Sequence, residues 1–249
     1  AARARWVERQ WWADAGFAVI TVDSRGTPGV APSFEKVVHR RLADVLLTDQ
    51  VDALAALAGK HSDLDLARVA VRGGGSTGGW LAALAVLRRP DLFSCGVART
   101  PISDWTLLET AFAERFLGLP DDDDSGRSRS PAGPAHPAGG LAGLTGARRP
   151  TGLTGARRPA NSGGEVYAHH SLVELAAEPP SGPAEARPLL LAHSLTDPDV
   201  LAAHTVRLSA GLLSAGRPHA VLPLSGALDG YSGERQLSLE LDFIRRHLP

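Results

Sequence analysis

Apolar residues in this chain fall into short unbroken runs, separated by longer stretches in which they recur every three or four positions. Phe17–Val22, Val69–Val71, Phe93–Ala98, Pro188–His193 and His219–Leu224 are runs of the first kind. All five read as strands, and the uninterrupted Phe17–Val22 has the mark of a parallel strand buried on both faces. Helical spacing appears between them. Arg3–Gly16 carries Trp6, Trp11 and Trp12 among charges and stops at a glycine. In Leu42–Leu57 the residues Leu42, Val45, Leu46, Val51, Leu54 and Leu57 lie near one stripe, with Asp44, Asp49 and Asp52 opposite. Leu107–Leu117, Val200–Leu213 and Gln236–His247 read as further helices. Strands alternating with helices predict an α/β fold, a doubly wound, mainly parallel sheet with helices on both faces. In such sheets the site lies at the carboxyl ends of the strands. Those ends are Asp23–Gly29, Gly73–Ser76, Arg99–Asp104, Ser194–Asp199 and Ser225–Asp229.

Length and composition narrow this picture. The 249 residues suffice for a single α/β domain, 1–249. Residues 121–164 break the pattern. Four aspartates precede Ser, Gly, Pro and Arg, and the string Gly-Leu-Thr-Gly-Ala-Arg-Arg-Pro occurs at both 143–150 and 152–159. Two polar copies bury nothing, so a disordered insertion is expected. The formal net charge of −1 and scattered arginines argue against a nucleic-acid partner. No apolar run has membrane-spanning length, and no membrane partner is expected. The single cysteine, Cys95, sits in an apolar run as a buried thiol, which fits a reducing, cytoplasmic location. No metal-ligand spacing or cofactor fingerprint is present, so no cofactor is expected. A chain without methionine that begins Ala1-Ala2-Arg3 reads as a piece of a longer polypeptide.

The chemistry concentrates at Ala70–Pro90. A β-prone run stops at glycines, Ser76 follows, and an Ala/Leu-rich helix begins at once. Gly74, Ser76 and Gly78 satisfy G-x-S-x-G in the strand–turn–helix context of a nucleophile elbow. A serine held on a strained turn needs neighbours without Cβ atoms, so that strand and helix approach closely. At a helix N-terminus, free N–H groups and the dipole favour a developing oxyanion. The competing reading is a glycine-rich phosphate grip, but no lysine stands in a P-loop position.

A hydrolase of this layout orders its triad Ser, acid, His, each on a loop after a strand. Asp197 follows the run Pro188–His193, with Asp199 as fallback; capping of the next helix is the alternative role for both. The loop 225–235, where the histidine belongs, contains none. His204, His219 and His247 fall on a helix, at a strand start and near the terminus.

On these residues the chain resembles the catalytic domain of the prolyl oligopeptidase family, in its dipeptidyl-peptidase and acylaminoacyl-peptidase-like branch. Asp23-Ser24-Arg25-Gly26-Thr27 is similar to the family's Asp-x-Arg-Gly motif, and Gly74–Gly79 to its Gly-Trp-Ser-Tyr-Gly-Gly elbow. His193–Val200 is similar to its His-Gly-x-x-Asp-Asp-Asn-Val. The resemblance implies an α/β-hydrolase fold and a serine-type peptidase acting on peptides through an acyl-enzyme. It implies Ser76 as nucleophile, Asp197 as triad acid and the Thr77 backbone N–H as an oxyanion donor. It also implies Ile102, Trp105, Phe112 and Phe116 as walls of a substrate pocket; periodicity alone makes Phe112 and Phe116 core. The family's histidine position is occupied by Asp229, and its oxyanion tyrosine loop and β-propeller lie before Arg3. Impaired peptide hydrolysis is therefore expected; an ester or acyl hydrolase, and an inactive homologue that binds peptide ends, are the alternatives.

Overall fold

The computed structural model describes residues 2–120, 163–225 and 233–249, with side chains from Val7 onward. The insertion expected at 121–164 and the loop containing Asp229 lie outside the described residues, with one exception: Gly163 and Gly164 open a helix, so regular structure resumes slightly earlier than the composition suggests.

In chain order the elements are α1 (Ala2–Asp14), α2 (Pro32–Lys36), α3 (Leu42–Ala58), β1 (Val69–Gly73), α4 (Ser76–Arg88), β2 (Phe93–Arg99), α5 (Thr110–Leu117), α6 (Gly163–His170), α7 (Leu172–Ala177), β3 (Leu189–Ser194), α8 (Ala202–Ser214), β4 (His219–Leu224) and α9 (Glu234–His247). The stretch expected as one helix over Leu107–Leu117 is a 3-10 turn at Trp105–Leu107 followed by α5. Asp104 accepts a hydrogen bond from the Thr106 N–H and caps that turn.

Four parallel strands lie in the order β1-β2-β3-β4. β2 and β3 are buried at every residue, as their unbroken apolar runs require. One face packs on α3, α4, α7 and α8, where Leu42, Val45, Trp80, Leu84, Leu172, Leu208 and Leu212 form the larger core. The other packs on α1 and α9, through Trp12, Val97, Leu190, Leu237 and Ile244. This is the doubly wound arrangement. Cys95 belongs to the second core; it is 0% exposed, and desolvation pushes its thiol up to about 12. It is inert at neutral pH.

Phe17–Val22 is not a strand. The segment carries the right residues, but it pairs with no strand among the described residues, and Val19 and Ile20 stay 40% and 37% exposed. A strand is defined by its neighbours' hydrogen bonds, not by its own side chains. The following loop is firmly held. Arg25 forks onto Asp49 of α3 through Nε and Nη2, and its backbone N–H donates to the same carboxylate.

His170 locks α6 to α3. Its Nε2 accepts the Ala43 N–H at 3.1 Å, while its Nδ1 donates to the Val166 carbonyl at 2.7 Å. These partners require the neutral ring. Burial, with smaller contributions from His169 and Arg88, pushes its pKa down to about 4. In the unfolded chain the ring titrates near the ordinary value of about 6.5, so acidification protonates the unfolded state first. The ring's contribution is complete above about pH 6.5 and falls by up to about 3 kcal/mol on acidification towards about pH 4. Urea unfolding across that window will show this loss, and His170→Gln will remove that part of the slope.

Candidate active site

β1 ends at Gly73, and α4 starts at Ser76, with only Gly74 and Gly75 between them. That abrupt reversal is possible because of glycines, though not mainly those of the G-x-S-x-G pattern. Gly75 takes φ +69°, so the left-handed turn falls on a glycine just before the serine, and Ser76 itself lies outside the positive-φ region. A Cβ on Gly73 would lie 1.8 Å from the Gly78 carbonyl oxygen, and one on Gly79 would lie 2.2 Å from that of Arg99. Gly74 and Gly78 meet nothing closer than 3.6 Å. The requirement for close approach was legible in the glycine run; the positions that bear it are Gly73 and Gly79.

Ser76 is half-buried, and its carbonyl accepts the Ile102 N–H. Thr77 follows in the first turn of α4, where backbone N–H groups face outward from the helix N-terminus. Across the carboxyl ends of the strands, Asp197 sits on the loop after β3. Its Oδ1 accepts the N–H groups of Asp199 at 3.0 Å and Val200 at 2.9 Å. The aspartate thus caps its own loop through one oxygen, while Oδ2 receives no hydrogen bond from the described residues. Below it, His193 is buried, with Nδ1 on the Thr205 hydroxyl at 2.6 Å and Nε2 on the Val200 carbonyl at 2.8 Å. That ring fixes the loop's exit towards α8.

Ser76, Asp197 and Asp199 line one trench of about 1230 Å³, which runs from the strand ends down the outer edge of β1. No histidine lines it among the described residues. His204 Nδ1 accepts the Ser103 N–H, His219 Nε2 meets the Ser209 hydroxyl, and His247 Nδ1 donates to the Phe243 carbonyl. Asp229 lies outside the described residues. Among the described residues no group of His, Cys, Asp or Glu is arranged to hold a metal ion, and no helix is long and apolar enough to cross a membrane.

The four aromatic and apolar positions do not line this trench. Ile102 and Trp105 are 0% and 1% exposed. Trp105 stacks on Phe112 at 6.2 Å and meets Trp80 edge-on at 5.4 Å. Phe112 and Phe116 are half-buried over this cluster, 5.2 Å apart. Ile102 and Trp105 therefore hold the base of the cluster, and only the two phenylalanines have surface to offer a ligand.

A partly buried charge cluster behind the elbow was not anticipated. Arg72 of β1 donates to Glu8 of α1 at 2.5 Å and to Glu240 of α9 at 2.6 Å. Arg99, at the end of β2, lies 3.5 Å from Glu8 and 3.6 Å from Glu240, too loosely for hydrogen bonds. Burial lowers the pKa of Arg99 against the pull of Glu240. Thr100 follows at φ +48°, a strained position for a β-branched residue. Sequence spacing carried no signal for this cluster, because its members come from four separate elements.

Residues 3–141 match the profile described as "Prolyl oligopeptidase family". The chain is 27% identical over 207 residues to dipeptidyl peptidase 8 of Homo sapiens, covering 83% of this chain and 18% of that protein. It is 34% identical over 110 residues to the prolyl endopeptidase FAP of Mus musculus, covering 44% of this chain and 14% of that protein. The chain thus spans less than a fifth of the length of these relatives. In fold it is similar to Porphyromonas gingivalis dipeptidyl peptidase 4 (TM-score 0.65, 20% identity, 91% of this chain and 26% of that one). It is likewise similar to a putative dipeptidyl aminopeptidase IV from Bacteroides ovatus (TM-score 0.70, 22% identity, 96% and 27%).

Proposed function

The chain belongs to the prolyl oligopeptidase family of serine peptidases, and from that premise we propose that it is a peptidase domain whose nucleophile is Ser76 and whose triad acid is Asp197, with aspartate standing where the family places its histidine. One observation carries the reading: Ser76, at the N-terminus of α4, and Asp197, after β3, line the same trench at the carboxyl ends of the sheet. Two relatives are named for dipeptidyl and prolyl cleavage, so peptides are the expected substrate class.

In this arrangement the Ser76 Oγ attacks the scissile carbonyl carbon. The developing oxyanion lies over the first turn of α4, where the Thr77 N–H and the helix dipole stabilise it. The hydroxyl proton then needs an acceptor. A serine hydroxyl is a weak nucleophile without an adjacent base, and the described wall of the trench offers no imidazole. Asp229 is a poor substitute, because a carboxylate is a weaker base than an imidazole and holds little driving force for taking that proton. Solvent hydroxide is left to do so, and the leaving amine must collect its proton from water. Acylation is therefore slow, and amides suffer more than esters.

The pH dependence tests this. Acylation of the protein by p-nitrophenyl acetate should rise about tenfold per pH unit between about pH 6 and about pH 9, and should vanish in Ser76→Ala. A plateau above an apparent pKa near 7 would reveal a working base. A rate indifferent to Ser76→Ala would remove the serine from its role.

A further inference from the structure

Two arginines bracket the elbow. Arg72 precedes Gly73 on β1, and Arg99 ends β2, whose Val97 and Ala98 pair with Arg72 and Gly73. The strand end from Arg99 onward wraps the turn that carries Ser76. The Arg99 carbonyl oxygen lies 2.2 Å from where a Cβ on Gly79 would be, and the Ile102 N–H donates to the Ser76 carbonyl. The Arg99 guanidinium lies against Gly74, its Nη1 3.6 Å from the Cβ position there. Gly74 is two residues before Ser76, so the reach of the chain keeps that guanidinium within about 12 Å of the Ser76 backbone.

The two guanidiniums are held differently. Arg72 donates through Nε to Glu240 and through Nη2 to Glu8, and Gln236, one turn earlier on α9, donates to the other oxygen of Glu240 at 2.8 Å. Glu240 is fully buried, and these bonds satisfy both of its oxygens. Arg99 is 5% exposed, yet it stands 3.5 and 3.6 Å from the same two carboxylates, and its Nε is buried without a hydrogen-bond partner. Hydrogen bonding therefore accounts for Arg72 and does not account for Arg99. A buried cation that forgoes hydrogen bonds is costly to keep. Its charge, unlike a hydrogen bond, acts at a distance, and it acts more strongly where water is excluded.

We propose, taking Ser76 as the nucleophile, that Arg99 is a positioning residue which acts on the serine through its charge, and that Glu240 and Glu8 hold that charge under the elbow and temper it. The guanidinium favours the negative charge that develops on the Ser76 oxygen and on the oxyanion over the first turn of α4. Two arginines and two glutamates balance in this cluster, so neutralising any one of them leaves a single uncompensated charge beneath the turn. At about 12 Å and an effective dielectric of about 20, one such charge changes the rate of forming an anion by about tenfold. The sign of the change follows the sign of the charge. Loss of Arg99 slows acylation, and loss of the Glu240 charge speeds it.

The test compares acylation by p-nitrophenyl acetate at one pH in the unmodified chain, Arg99→Gln, Arg99→Lys and Glu240→Gln. The acylated residue is read by mass spectrometry, and urea unfolding checks that each variant is folded. Arg99→Gln leaves Arg72 bonded to both carboxylates, and Glu240→Gln keeps an oxygen for Arg72 while the Gln236 amide turns its own oxygen to the new NH2 group. Acylation of Ser76 is expected to fall by about three- to tenfold in Arg99→Gln and to rise by about the same factor in Glu240→Gln, with Arg99→Lys within about twofold of the parent. A purely structural role moves both neutral variants in the same direction. Losses in both, or no change in either, with Ser76 still the acylated residue, overturn the proposal. Should Arg99→Gln fail to fold, Glu240→Gln decides alone: a faster reaction supports the proposal, and a slower or equal one overturns it. Acylation of the unmodified chain at a residue other than Ser76 is a separate failure, which removes the nucleophile assignment and this proposal with it.

Discussion

Asp229→His will raise the rate of peptide-anilide hydrolysis by about 100- to 10,000-fold over the unmodified chain, with the gain abolished by Ser76→Ala. The range is the usual contribution of a positioned general base. The reasoning rests on what is already assembled. Ser76 stands at a helix N-terminus, and Asp197 stands across the strand ends with one carboxylate oxygen held by its own loop and the other without a hydrogen bond among the described residues. A catalytic histidine needs an oriented carboxylate partner, and under the proposed assignment Asp197 supplies it. The new pH profile will level off near the imidazole pKa of about 6.5 instead of climbing with hydroxide. Silence in a folded Asp229→His protein would mean that the loop does not bring position 229 to Ser76.

Gly79→Ala will destabilise the protein by about 3 kcal/mol or more, whereas Gly74→Ala will stay within about 1 kcal/mol of the parent. Both belong to the same glycine run, and the difference is geometric. Gly79 faces the end of β2 across the helix–sheet interface, and a Cβ there meets the Arg99 oxygen at 2.2 Å, its carbon at 2.9 Å and its nitrogen at 3.2 Å. All are backbone atoms of a central, fully buried strand, so nothing can give way cheaply. At Gly74 the nearest atom is the Arg99 Nη1 at 3.6 Å, an ordinary contact at the end of a long side chain. Urea titration of the two variants decides the matter.

Much of the fold was legible because it is written in local patterns. The unbroken apolar runs of β2 and β3, the helical stripes of α3 and α9, and the strand–Ser–helix layout of the elbow all reappear in the structure. Phe17–Val22 shows the limit of that reading: its residues have strand character, but a strand exists only when another segment supplies the ladder. The short helices α2 and α7 escaped notice because they are too brief to show a period. In the site, Ser76 and Asp197 could be read from position after a strand. Their sharing of one trench could not be read, nor could the Arg72–Glu8–Glu240–Arg99 cluster, since both are properties of elements far apart in sequence. The aromatic residues illustrate a related point. Helical spacing placed Phe112 and Phe116 in the core, the family resemblance placed them in a pocket wall, and they lie half-buried over a fully buried Trp105.

The central claim is that the chain holds a serine nucleophile without its base. It is tested most directly by treating the unmodified protein with a fluorophosphonate at neutral pH and following modification of Ser76 by mass spectrometry. The expected result is negligible labelling while Asp229→His labels promptly. Rapid, stoichiometric labelling of Ser76 in the unmodified chain would contradict it.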